Sequence, residues 1–207
     1  MQSTIVTLLS DFGLRDPYVA EMKAVILSRC NKAEIVDISH EIAKFDIRMG
    51  AFVLASATPY FPKGTVHVAV VDPGVGTERR PIVMETELRY LVGPDNGVLT
   101  LAAWKEGVKH VYVIRDKRFM LPKVSKTFHG RDVFAPTAAH LAGGAAASVL
   151  GEEISNYIVP SFAKPRLEEN SVLGEVLHVD GFGNIITNIQ SSTLTELGIH
   201  EGDVVTV

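Results

Sequence analysis

Residues 65–80 read TVHVAVVDPGVGTERR, a valine-rich run that is closed by an Asp-Pro-Gly turn. The run at 65–71 predicts a buried β-strand, because a strand covered on both faces is apolar at nearly every position. Asp72 follows this strand directly, and Arg79 lies beyond it across a glycine-rich turn. Burying a carboxylate is costly unless it is paired, so Arg79 is its candidate partner. Taken alone, the pair is best interpreted as a structural ion pair that pins the loop.

Signals for strands and helices alternate on both sides of this run. Further strands are predicted at residues 4–10, 34–39, 82–85, 90–92 and 110–114. Helices are predicted to begin at Pro17 and after the N-cap Asp46, to run through Trp104, and to cover residues 132–141. Alternation at this spacing predicts an α/β fold in which a largely parallel sheet carries helices on both faces.

The pattern changes after residue 159. Residues 160–166, with a proline near each end, predict a linker. Short strand patterns follow at 174–179, 185–189 and 203–207, with a short helix signal at 193–197. We therefore expect an α/β N-terminal domain at 1–159 and a small all-β, barrel-like domain at 167–207.

The composition excludes several classes of protein. The 207 residues carry a formal charge of −4 and contain no long run of Lys or Arg, which argues against a protein that binds nucleic acid or a membrane surface. The longest stretch without charge or proline, at 140–151, is too short to span a bilayer. The N-terminus lacks the features of a signal peptide, and the single cysteine, Cys30, cannot form an internal disulfide. Both features predict a cytoplasmic location.

Polar clusters follow the predicted strands, where open α/β sheets bind their ligands. They are Asp11 with Asp16, Asp72 with Arg79, Asp95 with Asn96, and His129 with Arg131 and Asp132. Asp11 suits the two hydroxyls of a ribose, although a helix cap or an Asx turn explains it equally well, and Asp16 is better placed as the cap. His129 suits a general base near neutral pH, although a lone histidine is more often a hydrogen-bonded loop residue.

The C-terminal part contains the unusual turn DGFGN at 180–184. Glycine on both sides of Phe182 leaves its ring exposed, so it could stack on a planar base while Asn184 bonds adenine. A hairpin turn with an incidental phenylalanine is the simpler interpretation. No His-Glu-x-x-His motif or cysteine pair favours a metal site.

Five motifs, in this order along the chain, resemble those of the S-adenosyl-L-methionine (SAM) hydroxide adenosyltransferases, which are adenosine-forming SAM hydrolases related to the bacterial fluorinase and chlorinase. They are SDFG at 10–13 with Asp16, VDPGVG at 71–76 with Arg79, GPDNG at 93–97, FHGRD at 128–132 and DGFGN at 180–184. The resemblance implies hydrolysis of SAM to adenosine and L-methionine by in-line attack of an activated water on ribose C5′. It implies no cofactor and no metal, since SAM is the substrate.

The resemblance also implies residue roles. Asp72, Arg79 and His129 match the family's catalytic triad, and Asp11 matches the residue that holds the ribose hydroxyls. The other substrate-binding candidates are Phe182 and Asn184 for adenine, Asp180 with Asp16 for the methionine amino group, Phe45 as a wall of the ribose pocket, and Asp95 with Asn96.

Three further expectations come from the family. The halogenases carry a longer loop where this chain has the short turn at 72–79, which favours water over halide as nucleophile. Members are homotrimers that bind SAM between the N-terminal domain of one subunit and the β domain of the next. Members also continue past the position of Val207, so the chain is expected to be either a fragment or a shortened member.

Two other functions remain open on the sequence. One is a metal-dependent hydrolase that uses Asp11, Asp72, Asp95 and His129 as ligands, and its activity would be lost in EDTA. The other is a sensor that binds SAM or adenosine without turnover.

Overall fold

The computed structural model describes residues 4–168 and 171–203. The chain divides into two compact units, Met1–Val159 and Pro160–Val207. The strand predicted at 203–207 lies, from residue 204 onward, outside the described residues. Within the described ranges, no helix has the length and apolar character needed to cross a membrane.

Among the described residues, a mixed sheet of six strands forms the centre of the first unit. They are β1 (Ile5–Ser10), β2 (Glu34–Ser39), β3 (Val66–Val70), β4 (Pro81–Thr86), β5 (Tyr90–Pro94) and β6 (Val108–Val113), arranged in the order β2-β1-β3-β5-β4-β6. The pairs β1/β2, β1/β3 and β3/β5 are parallel, whereas β4 runs antiparallel to both β5 and β6. The prediction of a largely parallel sheet is confirmed.

Helices cover both faces of the sheet, as predicted. They are α1 (Tyr18–Arg29), α2 (Ile47–Ala57), α3 (Thr100–Glu106) and α4 (Ala135–Ala142). α1 packs with α4 and α2 packs with α3, so the two pairs form separate hydrophobic cores. Val68 belongs to the first core and its neighbour Ala69 to the second, and both are fully buried. This two-sided burial explains why the run at 65–71 is apolar without alternation.

Two helix starts differ from prediction. α1 begins at Tyr18 with Pro17 as its N-cap residue, so the interpretation of Asp16 as the cap is wrong. The helix predicted at 132–141 is a π-helical turn at Gly130–Phe134 that leads into α4. Pro136 has no N–H to give to the carbonyl of Asp132, and that carbonyl accepts from the backbone N–H of Leu121 instead.

The second unit contains two antiparallel hairpins. β7 (Arg166–Glu168) pairs with β8 (Ser171–Leu173), and β9 (Val176–Val179) pairs with β10 (Ile185–Thr187). A short helix, α5 (Ser191–Glu196), follows them. The expected β-rich character is confirmed, but the strands described in this unit pair as hairpins and do not close a barrel.

The topology opens a crevice between β1 and β3. From β1 the chain crosses to β2 on one side, whereas from β3 it continues to β4 and β5 on the other side. Adjacent parallel strands whose connections diverge leave a gap at their carboxyl ends, which is where open α/β sheets bind ligands. The loops that begin at Asp11 and Val71 therefore border the candidate site.

His67 on β3 couples the stability of the first unit to pH. Its side chain is buried, and its Nδ1 lies 2.7 Å from Oγ1 of Thr7. Burial, with a smaller contribution from Arg89, lowers the pKa of His67 from its ordinary 6.5 to about 3. The folded state thus holds the neutral imidazole, so its contribution to stability is complete above pH 6.5 and is lost as the pH falls towards the folded value.

We expect the free energy of unfolding to decrease by up to about 1.4 kcal/mol per pH unit below pH 6.5. Urea unfolding at pH 7 and pH 5 measures this slope. His67→Gln, which does not titrate, is the control, and an unchanged slope in this variant would assign the acid sensitivity to other groups.

Candidate active site

A cavity of about 320 Å³ lies at the carboxyl ends of β1 and β3. Asp11 and Asp72 line it. Asp11 directly follows β1, and Asp72 is the second residue after the end of β3. The lining also contains a lysine, a histidine and two aromatic residues: Lys44, His129, Phe45 and Phe128. Four sequence segments that are far apart in the chain thus meet at the predicted edge of the sheet.

Asp72 and Arg79 form a buried, two-pronged ion pair. Nε of Arg79 donates to Oδ1 of Asp72 at 3.1 Å, and Nη2 donates to Oδ2 of the same carboxylate. The side chains are 5% and 8% exposed, respectively. Burial raises the pKa of Asp72, while Arg79 and, more weakly, His129 act in the opposite direction. Pairing of this kind keeps a carboxylate and a guanidinium charged inside a protein at a fixed distance.

His129 joins the pair through the same guanidinium group. Nη2 of Arg79 lies 2.9 Å from Nδ1 of His129. Burial and then the positive charge of Arg79 lower the pKa of His129 below its ordinary value. Arginine can only donate, so Nδ1 accepts and the neutral imidazole carries its proton on Nε2. The geometry therefore makes His129 a neutral hydrogen-bond donor at neutral pH.

Arg79 also keeps an unused donor. Its Nη1 is buried and has no hydrogen-bond partner among the residues that the structure describes. The guanidinium carbon lies 5.3 Å from the centre of the Phe134 ring, which holds the group in place from one side. An unsatisfied buried donor costs about 1–3 kcal/mol, so this N–H is suited to a bound oxygen atom.

Gly76 allows the loop that carries Asp72 and Arg79 to approach the segment that carries His129. Its φ of +77° is left-handed, and a Cβ atom there would lie 2.2 Å from the carbonyl oxygen of Lys126. Gly64 has a similar φ of +85°, but a Cβ atom there meets nothing within 4 Å.

We expect Gly76→Ala to lower kcat at least about tenfold and to destabilise the fold by about 1–3 kcal/mol, since the strained loop has to move away from Lys126. The matched control, Gly64→Ala, imposes the same backbone strain without the contact and should leave kcat unchanged. Steady-state kinetics and thermal unfolding of both variants measure this. Equal kcat values in the two variants would contradict a role for the close approach.

Asp11 organises the opposite wall of the cavity. Its buried carboxylate accepts the backbone N–H of Phe45 at 2.9 Å through Oδ2, and Nζ of Lys44 donates to its backbone carbonyl. Phe45 has a φ of +64°, which is unusual for a residue with a bulky side chain, and its ring is 64% exposed. Strained backbone of this kind occurs at ligand sites, where neighbouring contacts hold it.

The other predicted site residues of the first unit lie elsewhere. Asp16 is exposed and does not line the cavity. Asp95 binds Arg80 at 2.9 Å and the backbone N–H of Ile158 at 2.8 Å. Asn96 donates to the carbonyl of Val71 at 2.8 Å, directly before Asp72. Asp95 and Asn96 thus brace the loops behind the cavity.

Asp180 shapes the turn between β9 and β10. Its carboxylate accepts the backbone N–H groups of Phe182 and Asn184, both at 2.9 Å, and the Asn184 amide at 2.7 Å. These bonds, that of Asn184 foremost, lower the pKa of Asp180. The Phe182 ring is 96% exposed. The turn is therefore a preformed hairpin tip that presents an aromatic ring.

The sequence prediction gave no role to several residues that line the cavity, and two of them bear on its chemistry. Lys44 precedes Phe45 in a loop without a motif. Phe128 begins the FHGRD motif at 128–132, which gives the phenylalanine no role of its own. Phe128 packs edge-on against Phe12 at 5.6 Å and Tyr18 at 5.1 Å, so it forms an aromatic cluster next to the cavity. A motif of aromatic residues around Phe12 and Tyr18 is the signal that could have identified it.

The described residues contain no group of three or more His, Cys, Asp or Glu side chains arranged to hold a metal ion. Of the ligands considered for a metal-dependent hydrolase, Asp95 is engaged by Arg80, and Asp72 by Arg79.

Comparisons with known proteins identify the family of the chain. The family model of the SAM hydroxide adenosyltransferase N-terminal domain matches residues 6–151. A protein from Methanocaldococcus jannaschii named (R)-S-adenosyl-L-methionine hydrolase is 46% identical over 196 residues, which cover 92% of this chain and 69% of that protein. A protein from an Actinoplanes species named fluorinase is 28% identical over 222 residues, covering 94% of this chain and 74% of that protein.

Among solved structures, an uncharacterized conserved protein from Thermotoga maritima is similar with a TM-score of 0.85 and 43% sequence identity. The match covers 96% of this chain and 76% of that one. Together with the family match over most of the first unit, these similarities show that the chain belongs to the SAM hydroxide adenosyltransferase family.

Proposed function

We propose that this chain hydrolyses SAM to adenosine and L-methionine. The observation that carries the proposal is the hydrogen-bonded chain of Asp72, Arg79 and His129 at a cavity whose opposite wall is formed by Asp11. The names of relatives that are 40–46% identical support the same reaction.

The reaction requires little besides an oriented nucleophile. An oxygen nucleophile forms a bond to ribose C5′ while the C5′–S bond breaks, and the electron pair of that bond goes to sulfur. Because the cationic sulfonium departs as a neutral thioether, no acid has to protonate the leaving group. The protein's task is to hold the oxygen in line and to supply it in a reactive form.

The donors at the site favour hydroxide as that form. Arg79 has an unpartnered Nη1, and His129 carries its proton on Nε2; in this proposal both groups donate to the attacking oxygen atom. Donors and a positive charge stabilise an anionic oxygen more than a neutral one, so they lower the pKa of a bound water. In this proposal Asp72 holds the guanidinium in place and balances its charge. The bound water releases its proton to bulk solvent before the attack, so that hydroxide is the nucleophile.

The substrate-binding roles follow the same proposal. Oδ1 of Asp11, the oxygen that does not accept from Phe45, binds the ribose hydroxyls, and Phe45 covers the ribose. In the second unit the exposed Phe182 ring suits stacking on adenine, and Asn184, whose amide N–H is used by Asp180, keeps its carbonyl oxygen for the base. Asp16 with Asp180 would face the methionine amino group. We further propose a cytoplasmic homotrimer in which these two groups of residues come from neighbouring subunits.

Incubation with SAM in water enriched in oxygen-18, followed by chromatography and mass spectrometry, tests the reaction. We expect adenosine labelled at the 5′ oxygen and an equal amount of methionine, with activity that persists in EDTA. Calorimetric binding of SAM without adenosine would indicate a sensor, and activity that EDTA abolishes would indicate a metal-dependent hydrolase.

A further inference from the structure

Two loops at the cavity are fastened together by contacts that the proposed chemistry does not use. One loop is residues 10–13 after β1, and the other is residues 40–45 after β2. The backbone N–H of Gly13 donates to the carbonyl of His40 at 2.7 Å, and the N–H of Phe45 donates to Oδ2 of Asp11 at 2.9 Å. We call this pair of joined loops the latch. It determines where the Asp11 carboxylate and the Phe45 ring lie.

His40 holds the first loop through its side chain as well. Its Nδ1 lies 2.7 Å from Oγ of Ser10, and that oxygen also accepts the backbone N–H of Phe12 at 3.3 Å. Ser10 and His40 are 1% and 4% exposed. Since Ser10 already accepts from Phe12, its hydroxyl proton points to Nδ1, and the imidazole proton is then on Nε2.

Asp37 and Lys23 continue this chain of contacts to the surface. Nε2 of His40 lies 3.1 Å from Oδ1 of Asp37, and Oδ2 of Asp37 accepts from Nζ of Lys23 at 2.6 Å. Partial burial raises the pKa of Asp37, but the contacts with Lys23 and His40 prevail and hold it below its ordinary value. The carboxylate is therefore charged at neutral pH. Nε2 makes no hydrogen bond of good geometry among the described residues, but the nearby negative charge favours the tautomer that carries its proton there.

We propose that His40 is a positioning residue for SAM binding, acting through Ser10 and Gly13 on the Asp11 carboxylate. The proposal rests on the proposed function, in which Asp11 binds the ribose. Its physical basis is that Phe45 is held in a left-handed conformation by the carboxylate that also has to receive the substrate. If the first loop relaxes, the carboxylate and the aromatic wall lose their geometry together.

The chain contains a matched control for a purely structural role. Thr7 on β1 and His67 on β3 repeat the same hydroxyl-to-imidazole contact at 2.7 Å, and both residues are buried away from the cavity lining. Losing that contact should destabilise the fold without any effect on substrate affinity.

The test compares His40→Ala, His40→Asn and His40→Gln with His67→Asn. We expect His40→Ala to raise KM for SAM about tenfold at a nearly unchanged kcat, since one buried hydrogen bond is worth about that factor. His40→Asn places an amide near the position of Nδ1 and should restore most of the affinity. His40→Gln reaches towards Asp37 instead and should not, and His67→Asn should lower the melting temperature at an unchanged KM.

Amide hydrogen exchange gives a readout that needs no activity. Exchange at the backbone N–H groups of Gly13 and Phe45 should accelerate in His40→Ala and remain slow in His67→Asn. An unchanged KM together with unchanged exchange at these two amides would overturn the proposal. If the wild-type protein does not hydrolyse SAM, the proposed function fails, whereas the exchange data still decide whether His40 holds the latch.

Discussion

Arg79→Met is expected to lower kcat by about a thousandfold, because the variant loses a preorganised donor that stabilises the bound hydroxide and two further groups lose their orientation with it. The change removes the bond that holds His129, the partner that keeps Asp72 charged, and the free Nη1 donor. Because none of these contacts is assigned to the ground state of SAM, its dissociation constant should change less than about tenfold. Single-turnover adenosine formation and calorimetry measure the two quantities.

The neighbouring arginine provides the control for this experiment. Arg80 also forms an ion pair with a buried carboxylate, that of Asp95, which unlike Asp72 does not line the cavity. Arg80→Met should therefore destabilise the fold and leave kcat within about threefold, since it removes structural contacts only. Equal losses of SAM affinity and of turnover in Arg79→Met would contradict the assigned role.

Asp11→Ala is expected to raise KM for SAM about a hundredfold while kcat falls less than tenfold. Two charge-assisted hydrogen bonds to the ribose hydroxyls account for a loss of this size. In the same variant the Phe45 N–H loses its acceptor. A second variant, Asp11→Asn, keeps one oxygen as the acceptor for Phe45 but removes the negative charge. Steady-state kinetics of the two variants separate the loop contact from the substrate contact.

Asp46 is the matched carboxylate for this second experiment. It accepts the backbone N–H of Met49 at 2.9 Å and caps α2 directly after Phe45. Asp46→Ala should cost about 1 kcal/mol of stability, as the loss of a helix cap does, and should not change KM. A rise in KM equal to that of Asp11→Ala would mean that disturbance of the loop, and not loss of a ribose contact, explains the effect.

The sequence predicts the fold class and the family because both depend on local patterns. Alternating strands and helices indicate the sheet, and the five motifs indicate the family, which the family match confirms. The triad is a different case. Asp72 and Arg79 alone favoured a structural ion pair, and only the contact with His129, fifty residues away, makes the group suitable for chemistry.

Two features of the site could not be predicted from the sequence. The latch consists largely of bonds to backbone atoms between residues about thirty positions apart, and such bonds leave no residue pattern. The polar cluster of Asp95 and Asn96 has a clear sequence pattern, but the pattern does not reveal its role. A polar pair after a strand has the same sequence signature whether its side chains face the ligand or brace the loop behind it, as these do.

The reversed strand β4 has a consequence for how the chemistry of this fold can change. Since β3 and β4 both pair with β5 and run in opposite directions, the segment that carries Asp72 and Arg79 leaves and re-enters the sheet at the same edge. Both of its ends are anchored, and the entropy of closing a loop grows only slowly with length, by about 0.6 kcal/mol per doubling. A change in the length of this segment therefore costs little closing entropy and leaves its two anchor points in the sheet unchanged.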